Sequence, residues 1–347
     1  MIICTKSSFI SVDVWEDIDY GLLLEIIDKV KIKNLFVDAS KEWEPNFTGK
    51  HVFHDFDNNL QFAKELKLRK VKTTFLLGTF NKFDYDKSYL DIINNLERNG
   101  VEFEFFPYLW LNETYKDIKT QTKWKNKIQN STPKRLGYIF VNRPHDHRCS
   151  FIDQLHANKL DNDILFTWNL LSDTYYDKYE FKFWNEKIVI DPEDSYIKGD
   201  FSTNWDLPSD AYFDSLFEIV LETHIDTIFI SEKTWKPIVF GKPFLVYGRQ
   251  GFHRRLEDIG FKLFHHTIDY DFDDMIDPDK RILMMMEQLQ KLRLLNYEDI
   301  LKKIEPVVKY NQNLARKLMR SLPARYNAVT RYDEMDPNAW GNIDLYI

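Results

Sequence analysis

The chain has 347 residues, of which 44% are hydrophobic and 29% charged, with a formal net charge of -8 at pH 7. That length suits two domains of ordinary size, and that balance excludes a disordered chain. The acidity weighs against a large nucleic-acid footprint but leaves room for a local basic groove.

Two cysteines, Cys4 and Cys149, make neither a disulfide framework nor a metal-ligand cluster, as expected of a reducing compartment. Cys149 is expected to be a buried structural thiol. Aromatic residues reach 16%, including nine Trp and eighteen Tyr, a supply of flat faces with polar handles that suits carbohydrate.

In chain order, residues 34–38 (NLFVD) read as a buried strand and 58–68 as a helix. Residues 72–77 (KTTFLL) read as a second strand, 88–98 as a helix and 101–107 (VEFEFFP) as a third strand. Alternating strands and helices predict a parallel sheet covered on both faces. Residues 114–135, rich in Lys, Gln, Asn and Thr, read as a linker or loosely packed surface helix whose lysines face solvent or a polyanionic acceptor.

A second alternating unit follows. Residues 136–142 are predicted as a strand, 147–159 as a helix and 164–167 as a strand. Residues 168–208 read as aromatic loops and 210–223 as an amphipathic helix. Then come strand 227–230 (TIFI), helix 232–240, strand 243–247 (PFLVY), a short strand at 261–264, and two helices between 278 and about 320. The predicted fold class is α/β, with two Rossmann-like doubly wound domains facing a cleft and C-terminal helices. Their bounds are 1–130 and 135–320, and residues 321–347 form a tail that packs back on the first domain.

The chemistry concentrates in ISEKTWKPIVFGKPFLVYG. Ser231 is an N-cap residue, and Glu232 and Lys233 fall in the first turn, where unpaired amides and the helix dipole attract anions. Lys233 adds a full charge for phosphate. Glu232 can accept two hydrogen bonds from a ribose diol. A second loop, GYIFVNRPHDHR, places Asn142, Arg143, His147 and Arg148 at a strand end, where forked guanidinium bonds suit a diphosphate. The plain alternatives are ordinary helix capping and a basic surface loop.

The run FEIVLET…FISEKTWKPIVFGKPFLVYG resembles the donor-binding stretch of the α1,3-fucosyltransferases, and of bacterial and viral glycosyltransferase-like proteins carrying S-E-K-T-(W/F)-K-P-I. The resemblance covers residues 136 to about 277. It implies the two-Rossmann (GT-B) architecture, with Glu232 and Lys233 on the nucleotide and Arg148 on the pyrophosphate. Glu222 would order the site or touch the donor sugar, and Ser231, Tyr247 and Gly248 would complete it. Pro237 inside the helix and His224 after the acidic motif depart from the fucosyltransferase pattern, which leaves the donor open.

The implied activity is glycosyl transfer from a nucleoside diphosphate-sugar, GDP first and UDP second, to a hydroxyl on a glycan, protein or modified nucleic acid. Inversion requires a base. Glu42 is the first candidate, with Asp38 and Glu44 behind it and Glu113 as a further one. Several D-x-D triplets occur, none after a strand of a nucleotide-binding unit, so chemistry without metal or cofactor is expected. The alternatives are a noncatalytic sugar-nucleotide or glycan-binding module and a transferase acting on modified DNA bases, the latter drawing on Arg316, Lys317, Arg320 and Arg325. With no signal peptide and no membrane-spanning run, the expected location is the cytoplasm, or a host's cytoplasm were the chain viral.

Overall fold

The computed structural model describes residues 2–4, 9–13, 20–39, 56–77, 87–105, 111, 118–141, 145–167, 182, 210–223 and 225–320. The protein is α/β, with two mostly parallel sheets. It divides into two compact units, Met1–Asn112 with Ser321–Ile347, and Glu113–Arg320.

The first unit carries β1 (Ile2–Cys4), β2 (Phe9–Asp13), β3 (Asn34–Ala39), β4 (Lys72–Leu77) and β5 (Val101–Phe105), side by side in chain order. β1 is antiparallel to β2, and the rest are parallel. The connecting helices are α1 (Tyr20–Val30), α2 (Phe56–Leu68) and α3 (Lys87–Arg98). Each crossover steps the same way, so right-handed connections put all three helices on one face.

The core confirms this. Leu23, Ile27, Phe62, Leu66, Ile93 and Leu96 from the helices share one cluster with the alternating strand residues Leu35, Val37, Phe75, Leu77 and Val101. On the alternate positions Lys72 and Glu102 are exposed and pair at 2.9 Å. The described helices of this unit therefore lie on one face, and its described residues do not show the doubly wound arrangement. Among its described residues the strand order never reverses, and only a reversal moves helices to the other face.

The second unit begins with α4 (Ile118–Asn130) and β6 (Arg135–Ile139), followed by α5 (Asp146–Ala157) and β7 (Ile164–Phe166). After α6 (Asp210–Phe213) come β8 (Ser215–Leu221), α7 (Glu232–Phe240) and β9 (Phe244–Tyr247). It ends with α8 (Phe252–Ile259), a 3-10 turn at Asp271–Asp274, α9 (Pro278–Leu292) and α10 (Tyr297–Arg320). Its four strands are parallel in the order β7-β6-β8-β9. From β6 the chain moves one way through α5 to β7, and from β8 the other way through α7 to β9. Right-handed crossovers then set α5 and α7 on opposite faces. α9 packs on α5, while α4 and α10 pack on α7.

Three sequence expectations fail here. Residues 210–223 are not one helix: four residues of α6 lead into β8, a central strand buried along its whole length. Its pattern SLFEIVL satisfies helical spacing by coincidence, because a strand buried on both faces is apolar throughout. Residues 227–230 form no sheet strand, and Phe229 makes only an isolated bridge. Residues 261–264 also join no strand.

Of the two readings of residues 114–135, linker or loosely packed surface helix, residues 118–130 form the helix, and it is firmly packed. Trp124 is 2% exposed, and its ring lies 4.6 Å from that of Phe240 and 5.3 Å from that of Tyr212. That packing places α4 in the second unit.

Candidate functional site

In an open α/β sheet, ligands bind outside the carboxyl ends of the strands where the strand order reverses. In the second unit that point lies between β6 and β8. The chain leaving β6 turns into α5, and the chain leaving β8 loops to α7, so two helix N-termini face one crevice.

The α7 start is built around Glu222, the residue after β8. Its buried carboxylate accepts from the Ser231 amide at 3.2 Å, from Ser231 Oγ at 2.6 Å and from Thr234 Oγ1 at 2.6 Å. Burial pushes the Glu222 pKa up, and Lys233, Ser231 and Thr234 offset only part of that. Ser231 caps the helix as expected, its Oγ accepting from the Lys233 amide at 3.2 Å. The strand end and the helix start are thus fastened by one carboxylate.

Glu232 and Lys233 are engaged with each other. Lys233 Nζ donates to Glu232 Oε1 at 2.6 Å, and the two side chains are 15% and 7% exposed. Burial alone would push Glu232 up; Lys233 and Lys236 outweigh it, and the carboxyl sits below its ordinary range.

The α5 start reaches across to the end of β8. Arg148 is buried and donates through Nη2 to the Leu221 carbonyl at 3.0 Å and to Thr223 Oγ1 at 3.1 Å. His147 Nε2 lies 2.8 Å from the Glu222 carbonyl, an interaction that a neutral ring makes by donating from Nε2. Burial first, then the Arg148 charge, hold the His147 pKa down at about 3. Beside them Cys149 is buried, and burial pushes its thiol up to about 12, as an inert structural thiol requires.

A cavity of about 470 Å³ opens beside these groups, lined in part by His147, Asp153, Lys182, Ile225, Tyr247 and Asp279. Arg148, Ser231, Glu232 and Lys233 do not line it among the described residues. Tyr247 ends β9, and its hydroxyl donates to the Pro278 carbonyl at 3.3 Å. A Cβ on Gly248 would come 2.8 Å from the Phe252 ring, so glycine there lets α8 pack close.

Sequence reasoning missed Arg281. It is buried and donates to the carbonyls of Gly248, Met275 and Ile276, tying the end of β9 to the start of α9. Only the helix-start signal DPDK preceding it was visible.

Below the crevice lies a buried polar network that was also not anticipated. Tyr212 donates to Glu218 Oε2 at 2.7 Å, and Lys242 Nζ donates to the carbonyls of Tyr212 and Ser215 at 2.8 and 2.6 Å. Burial raises the Glu218 pKa and lowers that of Lys236, while Lys242 is held down at about 7.

A larger hollow of about 590 Å³ adjoins Tyr270 and His253. Of its three histidines, the buried His253 is structural. His253 Nε2 accepts from the Val246 amide at 3.2 Å, leaving Nδ1 to donate to Asp273 at 2.9 Å. No residue expected in the donor site lines this hollow.

Of the remaining expected residues, Asp38 sits near the end of β3, in register with Asp13 and Leu76. Glu42, Glu44, Glu113, Asn142 and Arg143 lie outside the described residues, as do Arg325 and the tail 321–347. Among the described residues no three His, Cys, Asp or Glu side chains gather as a metal-binding group. No described helix is long and apolar enough to cross a membrane. Compared with known proteins, the chain matches no family model and no curated sequence.

Proposed function

We propose that the second unit binds a nucleoside diphosphate-sugar at the β6/β8 crevice and that the protein is a glycosyltransferase. The observation that carries this reading is the convergence of two helix N-termini at one strand reversal, with the Glu232–Lys233 pair in the first turn of one of them. Helix N-termini and a lysine favour a diphosphate. A carboxylate beside them favours a ribose diol.

On this reading the Glu232–Lys233 ion pair is the resting state of the grip. A diphosphate draws the Lys233 ammonium away from Glu232, and the released carboxylate accepts the ribose hydroxyls. Arg148 acts differently from a forked phosphate clamp. With its guanidinium bonded to Leu221 and Thr223, it is a positioning residue that holds the end of β8. Its buried positive charge still favours an anion nearby.

GDP is the preferred nucleotide, with UDP second, and the reaction is proposed to invert without a metal. Glu42, Asp38 and Glu44 remain the proposed sources of the base that takes the acceptor's proton. Thermal shift against GDP, UDP, ADP, CMP and their sugars tests the reading, because a ligand bound only by the native state raises apparent stability. A diphosphate that stabilises the wild type but not Lys233→Ala supports it. Stabilisation by none of the nucleotides contradicts it.

The second reading, a noncatalytic sugar-nucleotide-binding module, is favoured by the mutual neutralisation of Glu232 and Lys233. It predicts nucleotide binding without release of nucleoside diphosphate from any donor.

A further inference from the structure

Around the last turn of α7 pack two helices that carry basic residues. Trp124 of α4 packs on Phe240 at 4.6 Å, and Gln312 of α10 donates to the neighbouring Val239 carbonyl at 3.1 Å. Lys123 and Lys125 flank Trp124, and Arg316 lies one turn beyond Gln312. The sequence contains no Asp or Glu anywhere in 118–130 or 309–320.

Other lysines of this region are neutralised. Lys127 pairs with Asp210 at 2.5 Å and Lys134 with Asp214 at 2.7 Å. Lys123, Arg316, Lys317 and Arg320 are exposed, Lys125 is half-buried, and none of the five forms an ion pair among the described residues. Lys125 feels the Arg316 charge directly: burial first and that guanidinium second push its pKa down. Like charges near one another, with no acidic partner among the described residues, cost folding energy and are available to an anion.

The face also carries the exposed amides Asn126, Gln129, Asn130 and Asn313. Among the described residues it offers no largely exposed apolar anchor beside Tyr310. Trp124 points inward, and the half-exposed Tyr310 further up α10 lies under the Lys262 ammonium at 4.3 Å. A membrane-binding helix needs an apolar face to bury. Lysine, arginine and amide side chains together are the usual donors to phosphate oxygens.

We propose that the α4/α10 face of the second unit docks the phosphodiester backbone of a nucleic acid, at the opposite end of α7 from the nucleotide crevice. The chain's net charge of -8 does not prevent the docking, because a local basic face acts on phosphate at short range. Contact with backbone alone carries no sequence preference. The inference does not depend on glycosyl transfer.

The test is fluorescence anisotropy of the full chain with labelled duplex DNA, single-stranded DNA and single-stranded RNA of about 20 nucleotides, between about 50 and 200 mM salt. We expect binding that weakens with salt, with a log–log slope that becomes shallower by about 0.9 for each phosphate contact removed from a duplex. The triple variant Lys123→Glu, Arg316→Glu, Lys317→Glu is expected to bind at least about tenfold more weakly at the low-salt end. A control with the same charge change, Lys29→Glu, Lys64→Glu, Lys70→Glu in the first unit, is expected to bind within about threefold of the wild type.

No binding to any of the three nucleic acids overturns the proposal. So does equal loss in the control, or preference for phosphatidylserine vesicles or polyglutamate over every nucleic acid. All six substituted side chains are exposed, Lys125 is left unchanged, and circular dichroism of each variant checks that folding is retained.

Discussion

Glu222 is the residue on which the crevice depends most, and Glu222→Ala tests that. The substitution removes the acceptor for three donors at once. The buried Ser231 amide is left unpaired, at a cost of about 1–3 kcal/mol, and two hydroxyls that lose a charged acceptor add about 1 kcal/mol each. Relief of the buried carboxylate, whose pKa burial already raises, returns about 1–2 kcal/mol.

The net loss is then about 2–3 kcal/mol, which lowers Tm by about 5–10 °C for a unit of this size. Glu222→Gln is the control. Its amide oxygen keeps the Ser231 amide and Thr234 hydroxyl as donors, while its NH2 meets Ser231 Oγ, whose proton must turn away. That costs about 1 kcal/mol. Urea and thermal unfolding followed by circular dichroism measure both variants. An Ala variant within about 0.5 kcal/mol of wild type refutes the account of how the α7 start is held.

Further outcomes are expected at neighbouring residues. The His147 pKa lies at about 3 in the folded chain against an ordinary 6.5, so the folded state binds fewer protons between those values. Stability should therefore fall as pH drops from about 6.5 toward about 3, by about 1–2 kcal/mol from this partly exposed ring. His147→Gln, which keeps a donor for the Glu222 carbonyl, should flatten that limb, and an unchanged urea midpoint-versus-pH curve would count against it. Lys233→Ala should weaken a nucleoside diphosphate by at least about tenfold while leaving the nucleoside unaffected; calorimetric titration showing equal loss removes its phosphate role. Trp124→Ala should destabilise the second unit by about 3–5 kcal/mol, and a loss under about 1 kcal/mol on unfolding would mean α4 is not part of its core. Glu42→Gln should abolish transfer and spare donor binding, and unchanged turnover would dismiss it as the base.

The α/β class and most element positions were legible because NLFVD, KTTFLL and PFLVY are short apolar runs of strand length between helical stretches. The Ser231 cap and the helix 232–240 were readable to the residue, since capping chemistry is local. β8 was not legible. A strand buried on both faces has no alternation, and its one charged residue, Glu218, is paired with a tyrosine that only the fold brings near.

That the described helices of the first unit share one face was hidden too, because strand order is a long-range property. Glu222 and Arg148 stood out in the sequence, but their partners did not. Glu222 holds Ser231 and Thr234, and Arg148 holds the end of β8, through contacts spanning loops whose closure no local pattern records. The same limit applied to α4: its lysines were visible in sequence, while the one tryptophan that docks it gave no sign of its partners.

The most direct measurement of the central claim is release of nucleoside diphosphate from a panel of GDP-, UDP-, ADP- and CMP-linked sugars by the full chain, with and without the Lys233→Ala substitution. The account predicts turnover of at least one donor by the wild type and its loss in the variant. Binding without turnover of any donor would reduce the protein to a nucleotide-binding module. Neither binding nor turnover of any donor would contradict the assignment of the β6/β8 crevice as a donor site.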